Sequence, residues 1–461
     1  MKRVVGICLM MLVGLSDQLC LAQTNVEQSI TMGAPFGDHA VLQQKIQLPV
    51  WGTAWPNANV TVEFDNQVKT AVCDAKGQWR VILEPMTAVK LSSVNQVPDG
   101  KKMTVTCEKE GRKAVKELND LLVGDVWLCS GQSNMAGKMG GTSVDKANYP
   151  ALRQLVAPQT GPWLVCTPTN APGFKRVCFY FARRLQSDIL VPVGIINAAA
   201  GGSNIESWLN QKPFETGGNY VKHIEPLVGY GLRGAVWYQG ESNENDKRGY
   251  LPKLTSLITG WRAAWKQGNF PVYFVQLPGI GKSTLANPAG GDGRAEIRQA
   301  CVEALAVPNT GLAVTIDVGA LGEHPPNKFD TGVRLAHMAL HNTYGLKEVP
   351  ISPLYKSHKI EGSAIRVTFD NAPQGLMVAV KEGALPPKLT PDAKPQWLAL
   401  QDKSGKWYWA DGTIEGSDLI VSCKDVKEPI AVRYAYTQHP CGNVLYNKEG
   451  MPVSPFTTNG Y

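Results

Sequence analysis

Residues 124–135 read Gly-Asp-Val-Trp-Leu-Cys-Ser-Gly-Gln-Ser-Asn-Met, and this stretch decides the fold class. Its first part, Asp125–Cys129, has the length and apolar character of a buried β-strand. Ser133 follows the end of that strand, where an α/β protein can hold a nucleophile at a helix N-terminus. The surroundings are not the Gly-x-Ser-x-Gly elbow, because Met135 occupies the second glycine position. By itself, a serine at this place is more often a helix N-cap than a nucleophile.

Outward from this stretch, apolar strands alternate with amphipathic helices between about residues 120 and 346. Such alternation predicts a parallel sheet covered on both faces. The predicted strands are Asp125–Cys129, Val193–Ala198, Gly234–Gln239, Val272–Leu277 and Leu312–Asp317. The predicted helices are Lys175–Gln186, Tyr250–Lys266, Ala295–Ala306 and Asn327–His341. Ligands bind such sheets beyond the carboxyl ends of the strands, so the polar clusters that follow four of these strands are expected to meet there.

Both flanks of this region read as short strands separated by turns. Two-residue alternation, as in Val60–Phe64, indicates a β-sandwich before the α/β region. The predicted strands there are Val41–Leu42, Gln47–Trp51, Asn59–Phe64, Val68–Cys73, Trp79–Ile82 and Met103–Cys107. Those after it include Ala364–Phe369, Leu376–Val380, Leu419–Ser422 and Ala431–Tyr436. We therefore expect an export signal over residues 1–22, an N-terminal β domain over 23–117, a catalytic α/β domain over 118–348 and a C-terminal β domain over 349–461.

The charge and hydrophobic content of the chain indicate which kinds of partner are not expected. The chain has 461 residues, 43% of them hydrophobic and 18% charged, which is ordinary for a soluble globular protein. Its 46 Lys and Arg against 39 Asp and Glu give a net charge of +7, with no run of five like charges. Phosphate binding needs clustered basic side chains, so neither nucleic acid nor an anionic membrane is expected as the main partner. No segment after the N-terminal one is apolar over ~18 residues, so no membrane insertion is expected.

The N-terminus predicts export. Lys2 and Arg3 precede the apolar run Val4–Leu15, and Cys20-Leu21-Ala22 offers small residues at −3 and −1 of a cut after Ala22. This is the pattern of a secretory signal peptide, and it predicts a periplasmic or extracellular protein.

Eight cysteines follow the expected cleavage site, and an even number in an exported chain permits disulfides. We predict bridges Cys73–Cys107 and Cys423–Cys441. Cys166 and Cys178 are a third pair close in sequence, and Cys129 is expected as a buried free thiol inside its strand. No Cys-x-x-Cys spacing occurs, so no metal site and no cofactor are predicted.

Three further polar clusters follow predicted strands. Residues 197–203, Asn-Ala-Ala-Ala-Gly-Gly-Ser, contain two glycines that would let a backbone N–H approach a ligand, as an oxyanion donor must. Residues 237–243, Trp-Tyr-Gln-Gly-Glu-Ser-Asn, supply carboxamides and a carboxylate. Residues 323–328, Glu-His-Pro-Pro-Asn-Lys, put a histidine just before a helix. Taken alone, the first of these clusters fits a tight strand-to-helix turn equally well.

Other signals are better explained by structure than by chemistry. His337 and His341 have the spacing of a zinc helix, but Met338 takes the place of the catalytic glutamate. Gly281-Lys282-Ser283 resembles the end of a P-loop, yet the first glycine of that motif would fall on Gln276. The aromatic run Trp407–Trp409 could be a sugar platform or a packing cluster.

Together, these clusters carry a resemblance to a known family. Residues 124–135, Trp-Tyr-Gln-Gly-Glu-Ser-Asn at 237–243 and His-Pro-x-Asn-Lys at 324–328 resemble the sialate O-acetylesterase family of SGNH hydrolases. Residues 36–44, 50–52 and 432–447 resemble the β domains that flank the catalytic part in that family. The resemblance implies an SGNH-type three-layer α/β domain with a central parallel sheet, flanked by N-terminal and C-terminal β-sandwich-like domains.

The resemblance also implies roles for individual residues. Ser133 would be the nucleophile and His324 its general base. The amides of Ser133 and Gly202 and the carboxamide of Gln239 would form the oxyanion hole, with Asn243 as a competing donor. Such fixed donors stabilise the tetrahedral intermediate that a serine nucleophile generates.

The acid that orients the histidine is where this sequence departs from the family. Relatives carry an Asp two or three residues before the His, and here those positions are Gly322 and Leu321. We predict a Ser133–His324 pair, with Glu323 or a backbone carbonyl supporting the ring. Glu241 is the other acidic candidate.

The implied activity is that of a secreted carbohydrate esterase that acts on O-acetylated sialic acid. Two alternatives are an esterase for acetylated xylan or another plant glycan, and a glycan-binding protein that has lost activity. A sialate carboxylate calls for an arginine, and Arg298 is the candidate, although a solvated helix face explains it equally well.

Overall fold

The computed structural model describes residues 30–140, 147–158 and 160–459, so the predicted export signal lies outside the described residues. The fold is mixed α/β, with one large mixed sheet and several smaller antiparallel sheets. Within the described ranges, no helix combines the length and apolar character that a membrane crossing needs.

The N-terminal region is made of short strands, as the alternation predicts. These strands are β1 (Thr31–Met32), β2 (Val41–Gln43), β3 (Leu48–Thr53), β4 (Asn59–Phe64), β5 (Gln67–Val72), β6 (Gln78–Leu83) and β7 (Lys101–Lys109). In β4, the alternate residues Val60, Val62 and Phe64 are buried. The six strands expected here are therefore present, although Thr31–Met32 adds a further one.

One long strand joins this region to the central sheet. Strand β8 (Arg112–Gly131) pairs antiparallel with β7 in its first half, from Arg112 to Leu121. From Asp125 onward it pairs in parallel with strands on both sides, and its last eleven residues are all buried. The strand predicted at Asp125–Cys129 is thus the end of a 20-residue strand.

The central sheet contains two strands that the sequence pattern did not reveal. They are β9 (Tyr149–Val156) and β10 (Leu164–Cys166). The predicted strands are β11 (Val193–Ala199), β12 (Gly234–Tyr238), β13 (Val272–Val275) and β14 (Thr310–Ala313). The spatial order is β10-β9-β11-β8-β12-β13-β14. All neighbours are parallel except the edge pair β10 and β9, so the sheet is mixed rather than purely parallel.

Four helices lie close to their predicted positions, and a short helix that precedes them is an addition. In chain order they are the added α1 (Ser133–Ala136), α2 (Arg176–Ile189), α3 (Tyr250–Trp265), α4 (Gly293–Glu303) and α5 (Lys328–Asn342). Helix α2 packs against α5, and α3 packs against α4. Asn327 begins α5 because its side chain accepts a hydrogen bond from the Asp330 amide at 3.0 Å, a typical N-cap.

Register places the ends of three strands side by side. Gly131, the last residue of β8, lies opposite Ala199 of β11 and Tyr238 of β12. The loops that leave these three strands therefore start from one edge of the sheet. This is the edge at which α/β proteins bind ligands.

The C-terminal region forms three small antiparallel sheets of four, three and four strands. Their strands are β15 (Leu354–Glu361), β16 (Ala364–Asp370), β17 (Leu376–Val380), β18 (Lys388–Leu389), β19 (Leu398–Asp402), β20 (Trp407–Trp409), β21 (Asp411–Glu415), β22 (Asp418–Ser422), β23 (Pro429–Tyr434), β24 (Val444–Asn447) and β25 (Phe456–Thr457). One connected cluster of buried apolar residues runs from Ile30 to Phe456, so these strands share a core with the large sheet.

The predicted disulfides are wrong. All eight cysteines of the described residues are free thiols. Cys73 and Cys107 are buried and pack as small apolar side chains, while Cys423 is half-buried and Cys441 is exposed. Cys129 is a fully buried thiol inside its strand, as predicted.

Candidate active site

Ser133 occupies the first turn after β8. Gly131 has φ +139°, and a Cβ built on it would lie 2.0 Å from the carbonyl oxygen of Tyr238, so only glycine fits there. The Gln132 amide donates to that same carbonyl at 3.0 Å. Helix α1 then begins at Ser133, with Gln132 rather than Ser133 as its N-cap. The N-cap interpretation of Ser133 is therefore wrong.

The Ser133 hydroxyl instead faces a histidine. Its Oγ lies 2.9 Å from Nε2 of His324, which comes from the loop between β14 and α5. Ser133 is half-buried and His324 is exposed, so the pair is accessible from solvent. A hydroxyl within hydrogen-bond distance of an imidazole is the geometry that nucleophile activation requires.

Two backbone amides beside this pair have no acceptor. Among the described residues, neither the Ser133 N–H nor the Gly202 N–H donates a hydrogen bond. Gly202 has φ +68° and faces open space, and a Cβ built on the preceding Gly201 would lie 3.9 Å from Cβ of Ser133. The Ala200 amide fixes this loop by donating to Gly131 at 3.0 Å. The loop thus lies next to Ser133, and the Gly202 N–H within it has no acceptor among the described residues.

Gln239 does not present a free donor. Its Nε2 donates to the Ser203 carbonyl at 3.2 Å and to Asn243 Oδ1 at 2.7 Å. Its Oε1 accepts from the Tyr250 hydroxyl at 2.8 Å, and the residue is buried. Since both N–H groups are occupied, the expected oxyanion donation by Gln239 does not fit this structure.

Asn243 is occupied in the same way. Its Nδ2 donates to Glu206 Oε2 at 3.0 Å and to Asp246 Oδ2 at 2.6 Å. Its Oδ1 accepts from the Ile205 amide at 2.9 Å. Asn243 and Gln239 therefore tie the glycine loop to the end of β12, and the competing assignment of Asn243 as oxyanion donor does not fit either.

The acid next to the histidine does not support it. Glu323 is exposed, and within the described ranges no residue forms a hydrogen bond with Nδ1 of His324. What Glu323 contributes is its backbone carbonyl, which accepts from Asn134 Nδ2 at 2.9 Å. Asp317 is committed elsewhere, because Arg334 binds both of its oxygens at 2.5 and 2.8 Å. The predicted support of the ring by the Glu323 carboxylate is thus not formed.

Glu241 lies beneath the site. Its Oε1 accepts from Asn134 Nδ2 at 2.5 Å, and its Oε2 is buried without a partner among the described residues. Burial raises the pKa of this carboxyl. Lys328, in the first turn of α5, donates to Asn134 Oδ1 at 2.5 Å, and burial lowers its pKa to about 8. The motifs around Ser133 and His324 contain Asn134 and Lys328, but the sequence pattern assigns neither a role; the lysine within the second motif is the signal that could have pointed to one.

Arg298 is not a substrate ligand in this structure. Its side chain is 0% exposed, and burial lowers its pKa to about 9. Its guanidinium donates to four backbone carbonyls, those of Leu277, Pro278, Thr437 and Gln438. The expectation that Arg298 binds a substrate carboxylate is therefore wrong, because its donors are already used to hold the C-terminal region.

The remaining signals are structural. Nδ1 of His337 lies 3.0 Å from the Pro350 carbonyl oxygen, and Nδ1 of His341 lies 3.1 Å from that of Val349. Arg433 covers the Trp407 ring at 4.2 Å, so that ring is no open sugar platform. No group of three or more His, Cys, Asp or Glu within the described ranges is placed to hold a metal ion.

A serine–histidine pair beside amides without acceptors, at the carboxyl edge of parallel strands, is an arrangement that can carry out acyl transfer. Comparison with known proteins narrows the class. A family model described as carbohydrate esterase, sialic acid-specific acetylesterase, matches residues 123–341. Sialate O-acetylesterases of Pongo abelii and Homo sapiens are each 27% identical to this chain, over 88% of it and 88% of their own length.

A solved structure extends the likeness to the whole fold. A carbohydrate acetylesterase from Xanthomonas citri is 32% identical, with a TM-score of 0.82 over 94% of this chain and 100% of its own. The chain belongs to the sialate O-acetylesterase family of carbohydrate esterases. It is an esterase that hydrolyses O-acetyl esters.

Proposed function

We propose that this protein is a secreted serine esterase that removes O-acetyl groups from O-acetylated sialic acids. The observation that carries the proposal is the 2.9 Å contact between Ser133 Oγ and His324 Nε2, beside two amides without acceptors. The export signal expected at residues 1–22 supports secretion, and its pattern fits an exported glycan-processing enzyme.

In this mechanism, Ser133 Oγ attacks the carbonyl carbon of the acetyl group while His324 Nε2 takes the hydroxyl proton. The tetrahedral intermediate collapses as the sugar oxygen leaves and accepts that proton from His324, which yields an acetyl-Ser133 ester. Water then attacks this ester while His324 takes a proton from the water. That proton passes to Ser133 Oγ as the ester bond breaks, which releases acetate and restores the serine hydroxyl. No external oxidant, metal or organic cofactor enters either step.

The negative charge that develops on the carbonyl oxygen needs fixed donors. The amides of Ser133 and Gly202 supply them in this proposal, since neither has another acceptor among the described residues. Donors of this kind each lower the barrier by about 2.7–4 kcal/mol. Gln239 and Asn243 then act by holding the glycine loop, through Ser203 and Ile205.

The proposed preference for sialic acid follows the family and the relatives named above. A second candidate is an acetylated neutral glycan such as xylan. It is favoured by the burial of Arg298, because the arginine expected to bind a sialate carboxylate bonds to backbone carbonyls instead. Both candidates use the same Ser133 chemistry, so only a comparison of activities on the two kinds of substrate distinguishes them.

The test measures acetate released from O-acetylated sialosides, acetylated xylan and an aryl acetate. We expect wild type to favour the sialosides in kcat/KM, and Ser133→Ala to lose at least ~10³-fold on every substrate. Ser187→Ala is a matched control, because Ser187 is exposed on α2 and its hydroxyl donates to the Arg183 carbonyl of the same helix. Near wild-type turnover by Ser133→Ala would rule out the nucleophile. A preference for xylan would select the second candidate.

A further inference from the structure

Asn134 is the residue directly after the proposed nucleophile, and its whole side chain is used. Nδ2 donates to Glu241 Oε1 at 2.5 Å and to the Glu323 carbonyl at 2.9 Å, and Oδ1 accepts from Lys328 Nζ at 2.5 Å. The side chain is buried. One carboxamide therefore joins the segment after β12 to the residue before His324 and to the first residue of α5.

The charged neighbours determine which way the carboxamide points. A carboxylate accepts hydrogen bonds and an ammonium donates them, so Glu241 must face the NH₂ group of Asn134 and Lys328 must face its oxygen. The reverse orientation would set an oxygen against a carboxylate and a nitrogen against an ammonium. In the observed orientation, the second N–H of Asn134 is directed at the Glu323 carbonyl.

That carbonyl belongs to the peptide group that joins Glu323 to His324. The bond to this carbonyl restricts the backbone on the N-terminal side of His324, and Lys328 restricts the chain on its C-terminal side, where α5 begins. Such restraint matters here because no described residue bonds to Nδ1 of His324, where a catalytic triad would place its acid. The ring must then be oriented through its backbone.

We propose that Asn134, set in place by Glu241 and Lys328, is a positioning residue that holds the His324 loop in its reactive place instead of a triad carboxylate. This inference rests on the proposed roles of Ser133 and His324. It predicts that the bond to the Glu323 carbonyl, rather than the Asn134–Glu241 pair, governs kcat.

The test separates these two bonds. In Asn134→Asp, a carboxylate replaces the NH₂ group, so both the pair with Glu241 and the bond to Glu323 are lost. In the double variant Asn134→Asp with Glu241→Gln, the new Gln can donate to the new Asp, so the pair is restored while the Glu323 carbonyl still has no donor. We expect kcat on an aryl acetate to fall by ~10²-fold in both variants, with KM within about threefold of wild type.

Thermal unfolding provides the second readout. The double variant is expected to melt near wild type, and the matched control Asn66→Asp, in the exposed turn between β4 and β5, should keep both its kcat and its melting temperature. Recovery of wild-type kcat in the double variant would overturn the proposal, because a purely structural pair would then explain Asn134.

Lys328→Met covers the case in which the Asn134 variants do not fold. It removes the donor to Oδ1 while keeping an unbranched side chain, and we expect a loss in kcat of about tenfold without a change in KM. Full kcat in folded Lys328→Met would overturn the proposal. If Ser133→Ala remains active, the proposed function fails as well, whereas an inactive Ser133→Ala beside a fully active Asn134→Asp refutes only the positioning role.

Discussion

Ser133 and His324 lie 191 positions apart in the chain and meet because each follows a parallel strand of the same mixed sheet. Their neighbours are just as specific. Gly131 makes the turn into α1 possible, since its φ of +139° and its 2.0 Å approach to Tyr238 exclude any side chain. Gly131 has no reactive side chain, yet the turn that it makes sets the position of Ser133.

Gly131→Ala should therefore destabilise the protein by about 3 kcal/mol or more, because the added Cβ meets backbone atoms that cannot move aside and the backbone is strained. Urea unfolding measures the effect. Gly137→Ala is the control, since a Cβ there has only one neighbour, the Ser133 carbonyl oxygen at 3.8 Å. Equal stability of the two variants would contradict the steric argument.

Glu323→Gln should change kcat by less than about threefold, because only the backbone carbonyl of Glu323 takes part in the site. The orienting carboxylate of a triad is worth ~10⁴ in kcat. Steady-state kinetics on an aryl acetate measures the difference, with His324→Gln as the inactive reference. A loss of several orders of magnitude in Glu323→Gln would show that its carboxylate does orient the ring.

Strand β8 and helix α5 each contribute both to the packing of the fold and to the position of a site residue. Strand β8 closes an antiparallel hairpin with β7 and then becomes an interior strand of the parallel sheet that ends beside Ser133. Helix α5 begins at the Asn327 cap just after His324 and packs against α2. Its stability therefore bears directly on the His324 loop.

Helix α5 also contains a group that couples stability to pH. Burial lowers the pKa of His337 from 6.5 to about 4, so the folded protein holds this ring neutral. Between these two values the unfolded chain binds a proton that the folded chain does not. The free energy of unfolding should hence fall as pH is lowered through this window, by up to about 3 kcal/mol.

The measurement is urea unfolding at pH 7.5, 5 and 4 for wild type and His337→Gln. The variant cannot take up this proton, so its stability should decline less between pH 7.5 and pH 4. An identical decline in both proteins would show that other groups govern the acid limb.

At the scale of the molecule, the C-terminal strands are tied to the loops around the site. Arg298 reaches the carbonyls of Thr437 and Gln438, and Trp409 donates to the Leu285 carbonyl at 2.9 Å. Asn327, the cap of α5, donates to the Gly383 carbonyl at 2.8 Å. These contacts connect the C-terminal region with the loop after β13 and with the start of α5.

Arg298→Met should cost about 3 kcal/mol or more of stability, because the buried Leu277 carbonyl loses its side-chain donor and the bonds to Thr437 and Gln438 are lost as well. It should leave the ratio of kcat/KM on O-acetylated sialosides to that on acetylated xylan unchanged. Unfolding curves and the substrate panel measure the two quantities. A tenfold shift of the ratio towards xylan at unchanged stability would return Arg298 to substrate binding.

Most strands and helices, and the Ser133–His324 pair, could be predicted from the sequence, because the patterns that indicate them lie within short stretches of the chain. Alternation at a period of two in Val60–Phe64, and apolar runs between amphipathic helices, report which face of each element is buried. Short motifs were enough to propose Ser133 and His324 as partners. Strand β9 was not predicted because it contains Pro150 and the polar residues Arg153 and Gln154. These two polar side chains are buried against partners elsewhere in the chain.

Only the tertiary structure decided what each polar side chain binds. Arg298 and Gln239 carry donors that suit a substrate, yet those donors face backbone carbonyls and Asn243. Asn134 contacts Glu241 and Lys328, which lie more than a hundred residues away in the chain. The physical reason is that hydrophobic periodicity is a property of residues close in sequence. A hydrogen bond depends instead on the distance and direction between two groups, which only the packed fold brings together.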